Sequence, residues 1–142
     1  MTGAQPAARQ VAALPLRRDA ATGGCEVLLV TTLSTRRWII PKGWPWPERA
    51  DAEAAAREAF EEAGVRGDIA PDPIGTFTYL KRRKKGDDRT VVVCVYLLRV
   101  TEELTDWPER LQRDRRWMSP REAAERVEEP ELKALLLSSA TT

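Results

Sequence analysis

Residues 43–65 read GWPWPERADAEAAAREAFEEAGV, and the succession of breaker, helix former and stop along them decides the middle of the fold. Pro41, Pro45 and Pro47, with Gly43 among them, cannot sit inside a helix, because proline lacks the amide proton and clashes with the preceding turn. Residues 41–47 are therefore expected as an ordered loop. From Asp51 the pattern turns helical. Asp51 is the expected N-cap, Glu53 lies near the positive end of the helix dipole, Ala54, Ala55 and Ala56 favour helix, and Gly64 marks the stop. At about 100° per residue, Glu58, Glu61 and Glu62 fall in one sector of that helix beside its alanine face.

Like charges at that spacing repel by roughly a few tenths of a kcal/mol per exposed pair. An acidic triplet is most often a solvated face. A bound cation is the other explanation: Mg²⁺ is hard, takes oxygen ligands, keeps several waters and binds phosphate alongside one or two carboxylates.

Outward from this segment the chain alternates strand and turn. Residues 11–16, 25–32 and 38–40 are short, apolar and partly β-branched, and are expected as strands. Residues 74–80 and 90–101 read as two strands of a hairpin whose tip carries the basic run Lys81, Arg82, Arg83, Lys84 and Lys85. Residues 115–118 suit one more strand. Ser119-Pro120-Arg121-Glu122 has the marks of a capping box with proline at the first helical position, and a last helix is expected over 131–137. Residues 1–8 are small and polar, a loose tail; residues 9–142 are expected as one mixed α/β domain.

The length of 142 residues suits one hydrophobic core, and 42% apolar with 32% charged residues describes a globular chain. No apolar run is long enough to span a bilayer, and residues 1–10 lack the apolar core of a signal peptide, so the expected address is cytoplasmic. Cys25 and Cys94 have no zinc-type spacing and are expected as buried free thiols. Histidine is absent, which excludes histidine triads, histidine bases and histidine metal ligands. Acid–base chemistry must then rest on carboxylates, lysine, tyrosine or metal-bound water. The net charge of +1 conceals uneven placement. Carboxylates gather in 48–62 and 121–131, while Lys81 to Lys85 and Arg113, Arg115 and Arg116 form basic blocks, so a metal and a polyanion could be held side by side.

The full spacing resembles the Nudix box: Gly, five residues, Glu, seven residues, Arg-Glu, an apolar residue, any residue, Glu-Glu, any residue, Gly and an apolar residue. The chain supplies Gly43, Arg57-Glu58, Ala59, Phe60, Glu61-Glu62, Ala63, Gly64 and Val65. The one departure is Arg49, where the box has Glu; Glu48 stands next to it. The resemblance implies an α/β/α sandwich with a mixed sheet and the Nudix loop–helix. It also implies a hydrolase of phosphorus anhydrides, with Glu58, Glu61 and Glu62 as ligands for Mg²⁺ or Mn²⁺. Glu58 or Glu62 would also be the base for the attacking water. Arg57 would orient the carboxylates, and Gly43 would let the loop approach the helix.

Arg37-Trp38-Ile39-Ile40-Pro41-Lys42-Gly43, Asp106-Trp107 and Arg115-Arg116-Trp117 resemble the diphosphoinositol polyphosphate phosphohydrolase branch. That branch implies a small-molecule partner, a diphosphoinositol polyphosphate or a dinucleoside polyphosphate; no membrane partner is expected, and the net charge of +1 gives weak support for a nucleic-acid one. A highly phosphorylated substrate needs a rim of cations, for which Lys42, Arg9, Arg18, Arg89 and Arg115 are the candidates. A charged hairpin tip such as Lys81 to Lys85 is more often merely solvated. Trp44 and Trp46 are placed to stack on a base, while Trp38 and Trp117 read as core. Two other readings stay open: an RNA 5′-pyrophosphohydrolase, which would need an extended basic track, and a catalytically weak module that binds a phosphorylated metabolite, which Arg49 favours.

Overall fold

The computed structural model describes residues 8–81 and 88–139. In chain order it builds β1 (Ala8–Arg18), β2 (Cys25–Thr31), β3 (Trp38–Ile39), β4 (Lys42–Gly43) and α1 (Asp51–Glu58), which runs on as a π-helical turn over Ala59–Ala63. There follow β5 (Val65–Ile69), β6 (Gly75–Lys81), β7 (Arg89–Glu103), β8 (Arg115–Met118), α2 (Pro120–Arg126) and α3 (Pro130–Ser139). All eight strands join one mixed sheet. β1 and β7 run parallel at its centre, from Ala8 opposite Val91 to Leu16 opposite Arg99. The other edge of β1 is shared, β4 pairing with Val11 and Ala12 and β2 with Leu16 to Arg18.

The apolar run inside β1 explains its central place. Val11, Ala12, Ala13 and Leu14 are all fully buried, which needs cover on both faces of the sheet. Gly43, in register with Val11, meets α1 through Glu58 on one face. Gly75, opposite Val95 and hence on the side of Ala12, meets Leu135 of α3 on the other. Helix, sheet and helix therefore form three layers, the expected α/β sandwich. Ser119 caps α2 by accepting from the Glu122 amide at 3.1 Å, with Pro120 at the first position.

Several details differ from the sequence expectation. Ala50, with extended φ and ψ, caps α1 without a side-chain bond, and Asp51 is already helical and pairs with Arg9. β4 lies inside the expected proline loop, since its two residues need only one short pairing with β1. β5 was not foreseen: Gly67 breaks its alternation where the register shifts, and a Cβ there would strike the Arg99 carbonyl. Ala8, assigned to the tail, starts β1, and residues 1–7 lie outside the described residues. Cys25 and Cys94 are free but only half-buried, and Trp38 and Trp117 pack against the core without being enclosed by it. Of the basic hairpin tip, Lys81 is described and residues 82–85 are not.

Candidate functional site

The alanines of α1 let the helix lie close to the sheet, with Ala54, Ala55, Ala59 and Ala63 fully buried. That approach carries Glu58 and Glu62 inward at the helix end. Gly43 makes room for Glu58, for a Cβ on it would fall 2.5 Å and 2.6 Å from the two carboxylate oxygens. Glu62 is 6% exposed and accepts from the Lys42 amide at 3.3 Å. Burial pushes the Glu62 carboxyl up to about 8; Arg113 opposes the shift, and Glu58 and Glu109 reinforce it. Burial raises Glu58 to about 6, opposed by a hydrogen bond with Glu62 and reinforced by Glu61 and Glu109. Two carboxyls thus share a poorly solvated space with too little positive charge around them.

Glu61 is placed differently. It faces Arg57 at 2.9 Å, and the Arg57 guanidinium also lies over the Trp46 and Phe60 rings. The π-helical turn separates Glu61 from the inward pair, and among the described residues no three acidic or thiol groups converge to hold a metal. Two carboxylates with waters suffice for Mg²⁺. The donor set, oxygen-only and only partly offset by Arg113, fits a hard divalent cation at Glu58 and Glu62.

A segment that sequence reasoning overlooked closes the site. Arg113 reaches Glu109 at 2.6 Å, Glu62 at 3.5 Å and the Thr31 carbonyl at 3.0 Å. The Glu109 amide donates to the Glu61 carbonyl at 3.0 Å, and Trp107 Nε1 donates to the Glu62 carbonyl at 3.2 Å. Arg113 stood out only as part of a basic block, and Glu109 did not stand out at all. No local pattern marks residues that come to a helix end from a distant loop.

On the far side of Glu62, Lys42 Nζ donates to Tyr79 Oη at 3.2 Å and to Gln10 Oε1 at 3.4 Å. The other expected substrate residues divide. Arg89 lies opposite Lys81 in the β6–β7 ladder, with a buried Nε that has no hydrogen-bond partner among the described residues. Trp44 is 46% exposed, with Lys81 Nζ 5.0 Å from its ring centre. Arg9 is paired with Asp51. Arg18 donates to the Gly23 carbonyl and borders a separate hollow of about 820 Å³ at the other end of β1, with Leu16, Leu97 and Arg99. Arg115 is spent on the carbonyls of Ala63 at 2.7 Å and Leu104 at 2.8 Å and lies over the Trp107 ring. Arg49 pairs with Glu53 on the outer side of α1, and Glu48 is exposed.

A model of the NUDIX domain family matches residues 7–137. The chain belongs to the Nudix domain family. Gly43, Glu58 and Glu62, whose spacing resembles the Nudix box, meet in space, and the close Gly43–Glu58 contact gives that spacing a physical reason. The chain is 40% identical over 103 residues to Nudix hydrolase 12, mitochondrial, of Arabidopsis thaliana, covering 70% of this chain and 51% of that protein. It is 41% identical over 103 residues to diphosphoinositol polyphosphate phosphohydrolase 3-beta of Bos taurus, covering 69% of this chain and 57% of that one. The chain spans about half the length of these curated relatives. A crystal structure of a C. elegans Ap4A hydrolase binary complex shares the Nudix fold, with a TM-score of 0.70, 23% identity, and coverage of 94% of this chain and 96% of that chain.

Proposed function

We propose that this chain is a Nudix hydrolase that cleaves a diphosphate bond with Mg²⁺, or Mn²⁺ in its place, in a diphosphoinositol polyphosphate or a dinucleoside polyphosphate. The observation that carries this reading is the pair of half-buried Glu58 and buried Glu62, with raised carboxyls, beside the Lys42 backbone amide. The identity to a diphosphoinositol polyphosphate phosphohydrolase and the fold shared with an Ap4A hydrolase support the substrate class.

Glu58 and Glu62 would hold the cation, and Glu61 remains with Arg57 at the outer rim. A bound Mg²⁺ supplies neutralisation of the diphosphate charge and acidifies a water. Glu58 or Glu62, as carboxylate, accepts the proton of the water that attacks phosphorus, and the P–O bond to the other phosphate breaks. Lys42 offsets the charge that gathers on the departing phosphate. Arg113 keeps Glu62 and Glu109 in place from behind.

The test is release of phosphate and nucleotide from an inositol pyrophosphate, diadenosine polyphosphates, nucleoside triphosphates and 5′-triphosphorylated RNA, each with Mg²⁺ and with chelator. Cleavage of one of the first two classes that chelator abolishes is the expected result. Cleavage confined to the RNA would move the assignment to an RNA pyrophosphohydrolase. Binding without turnover across the panel would make the chain a phosphate-binding module, the reading that Arg49 favours.

A further inference from the structure

Three residues from three strands meet on one face of the sheet. Lys42 is in register with Ala12, Gln10 with Val93, and Tyr79 with Val91, so strand alternation points all three to the same side. Gln10 is 4% exposed. Tyr79 Oη donates to Gln10 Oε1 at 2.8 Å, and both oxygens accept from Lys42 Nζ, which also lies 4.5 Å from the centre of the Tyr79 ring. The ammonium is otherwise in an unusual position. Among the described residues it has no salt-bridge partner: Arg113 pairs with Glu62 and Arg37 with Glu129, so the nearest carboxylates act on Lys42 only through space. Burial lowers the Lys42 pKa, and Glu62 and Glu129 hold it up against that loss. An ammonium has three donors. Two are met by neutral oxygens, which leaves one N–H and the whole positive charge for an incoming anion.

We propose that Tyr79 and Gln10 are positioning residues that hold Lys42 Nζ, unneutralised, where a phosphate of the substrate docks. The inference rests on the hydrolase reading for its substrate but not for its geometry. A carboxylate in place of either oxygen would have quenched the lysine; a phenol and an amide fix its direction and leave its charge available. The Tyr79–Gln10 bond fixes the donor and acceptor roles, because the amide oxygen takes the phenol proton and the phenol oxygen is free to accept from Nζ.

The full chain is tested with inorganic pyrophosphate and Mg²⁺ by titration calorimetry, as wild type, Tyr79→Phe, Lys42→Met and the double variant. Tyr79→Phe keeps the ring and removes only the hydroxyl. It is expected to weaken pyrophosphate binding roughly tenfold when Lys42 is present, and less than about twofold in the Lys42→Met background. Equal losses in both backgrounds, or no loss with Lys42 present, would overturn the proposal, since a merely structural hydroxyl is indifferent to Lys42. Gln10→Glu gives an independent reading: it matches the size of Gln10, places a carboxylate on Nζ, and is expected to weaken pyrophosphate about as much as Lys42→Met. Tight binding by folded Gln10→Glu also counts against the idea. Absence of turnover in the wild type would sink the hydrolase reading while the cycle is still read in affinity. Absence of pyrophosphate binding in the wild type would sink this one.

Discussion

A methyl group at position 43 is the smallest change that separates the Glu58–Glu62 pair from the rest of the molecule. The atoms it would strike belong to the free end of a side chain, so the backbone need not move and Glu58 rotates away. Gly43→Ala is therefore expected to change the unfolding midpoint little, while lowering Mg²⁺ affinity and cutting turnover roughly a hundredfold through misplacement of one carboxylate. Calorimetric metal titration and thermal unfolding of the same sample check this. Wild-type metal affinity in the variant would remove Glu58 from the site. Lys42, one residue earlier, shows how closely the roles are interleaved: its amide serves Glu62 while its ammonium faces Tyr79 and Gln10.

Among the elements, the end of α1 depends most on distant help. After the π-helical turn Gly64 turns left-handed, with φ of 67°, and the last carbonyls have no helical partner. Arg115 takes up those of Ala63 and Gly64, together with the Leu104 carbonyl just after β7, with Trp107 stacked beneath it. Arg115→Ala should cost about 2–3 kcal/mol in urea unfolding, since charged donors would be withdrawn from partly buried carbonyls. Arg115→Lys should restore only part of it, because an ammonium cannot span the same carbonyls with a planar fork. Unchanged stability with lost substrate affinity would return Arg115 to the substrate rim, where its sequence context had put it. The contrast shows what local sequence conveys about elements. Alanines and a terminal glycine announce α1, and Ser119-Pro120 announces α2, because caps and propensity are local physics. β5 was missed because Val65–Ile69 holds a bulge glycine in place of a clean alternation, and its stability comes from pairing with β7. The second basic block was legible as charge but not as structure: Arg113 turns to carboxylates, Arg115 to carbonyls and Arg116 to Glu122.

At the scale of the whole molecule, the site draws on β1, β4, the end of α1, β6 and the loop before β8. Fixed spacing in the sequence could encode only the part between Gly43 and Gly64, so Gln10, Tyr79, Glu109 and Arg113 had to wait for the fold. This convergence has a thermodynamic consequence, because folding forces Glu58 and Glu62 together and buries them. Both carboxyls are raised, to about 6 and about 8, above the unfolded value of 4.5, so the folded chain binds protons more tightly than the unfolded chain. Their contribution to stability is fully present below the unfolded value and is lost as pH rises through the folded ones. The metal-free protein should therefore have a lower unfolding midpoint at about pH 8 than at about pH 5. A divalent cation acts in the opposite sense, since it binds the deprotonated pair and only in the folded chain. Saturating Mg²⁺ should raise the midpoint more at the higher pH, and Glu62→Gln should abolish most of that difference. Differential scanning calorimetry of wild type and Glu62→Gln, with Mg²⁺ and with chelator at both pH values, checks the sign. A metal-induced gain that is equal at the two pH values, or that survives in Glu62→Gln, would mean that the cation binds elsewhere and that the buried pair serves only the proton of the attacking water.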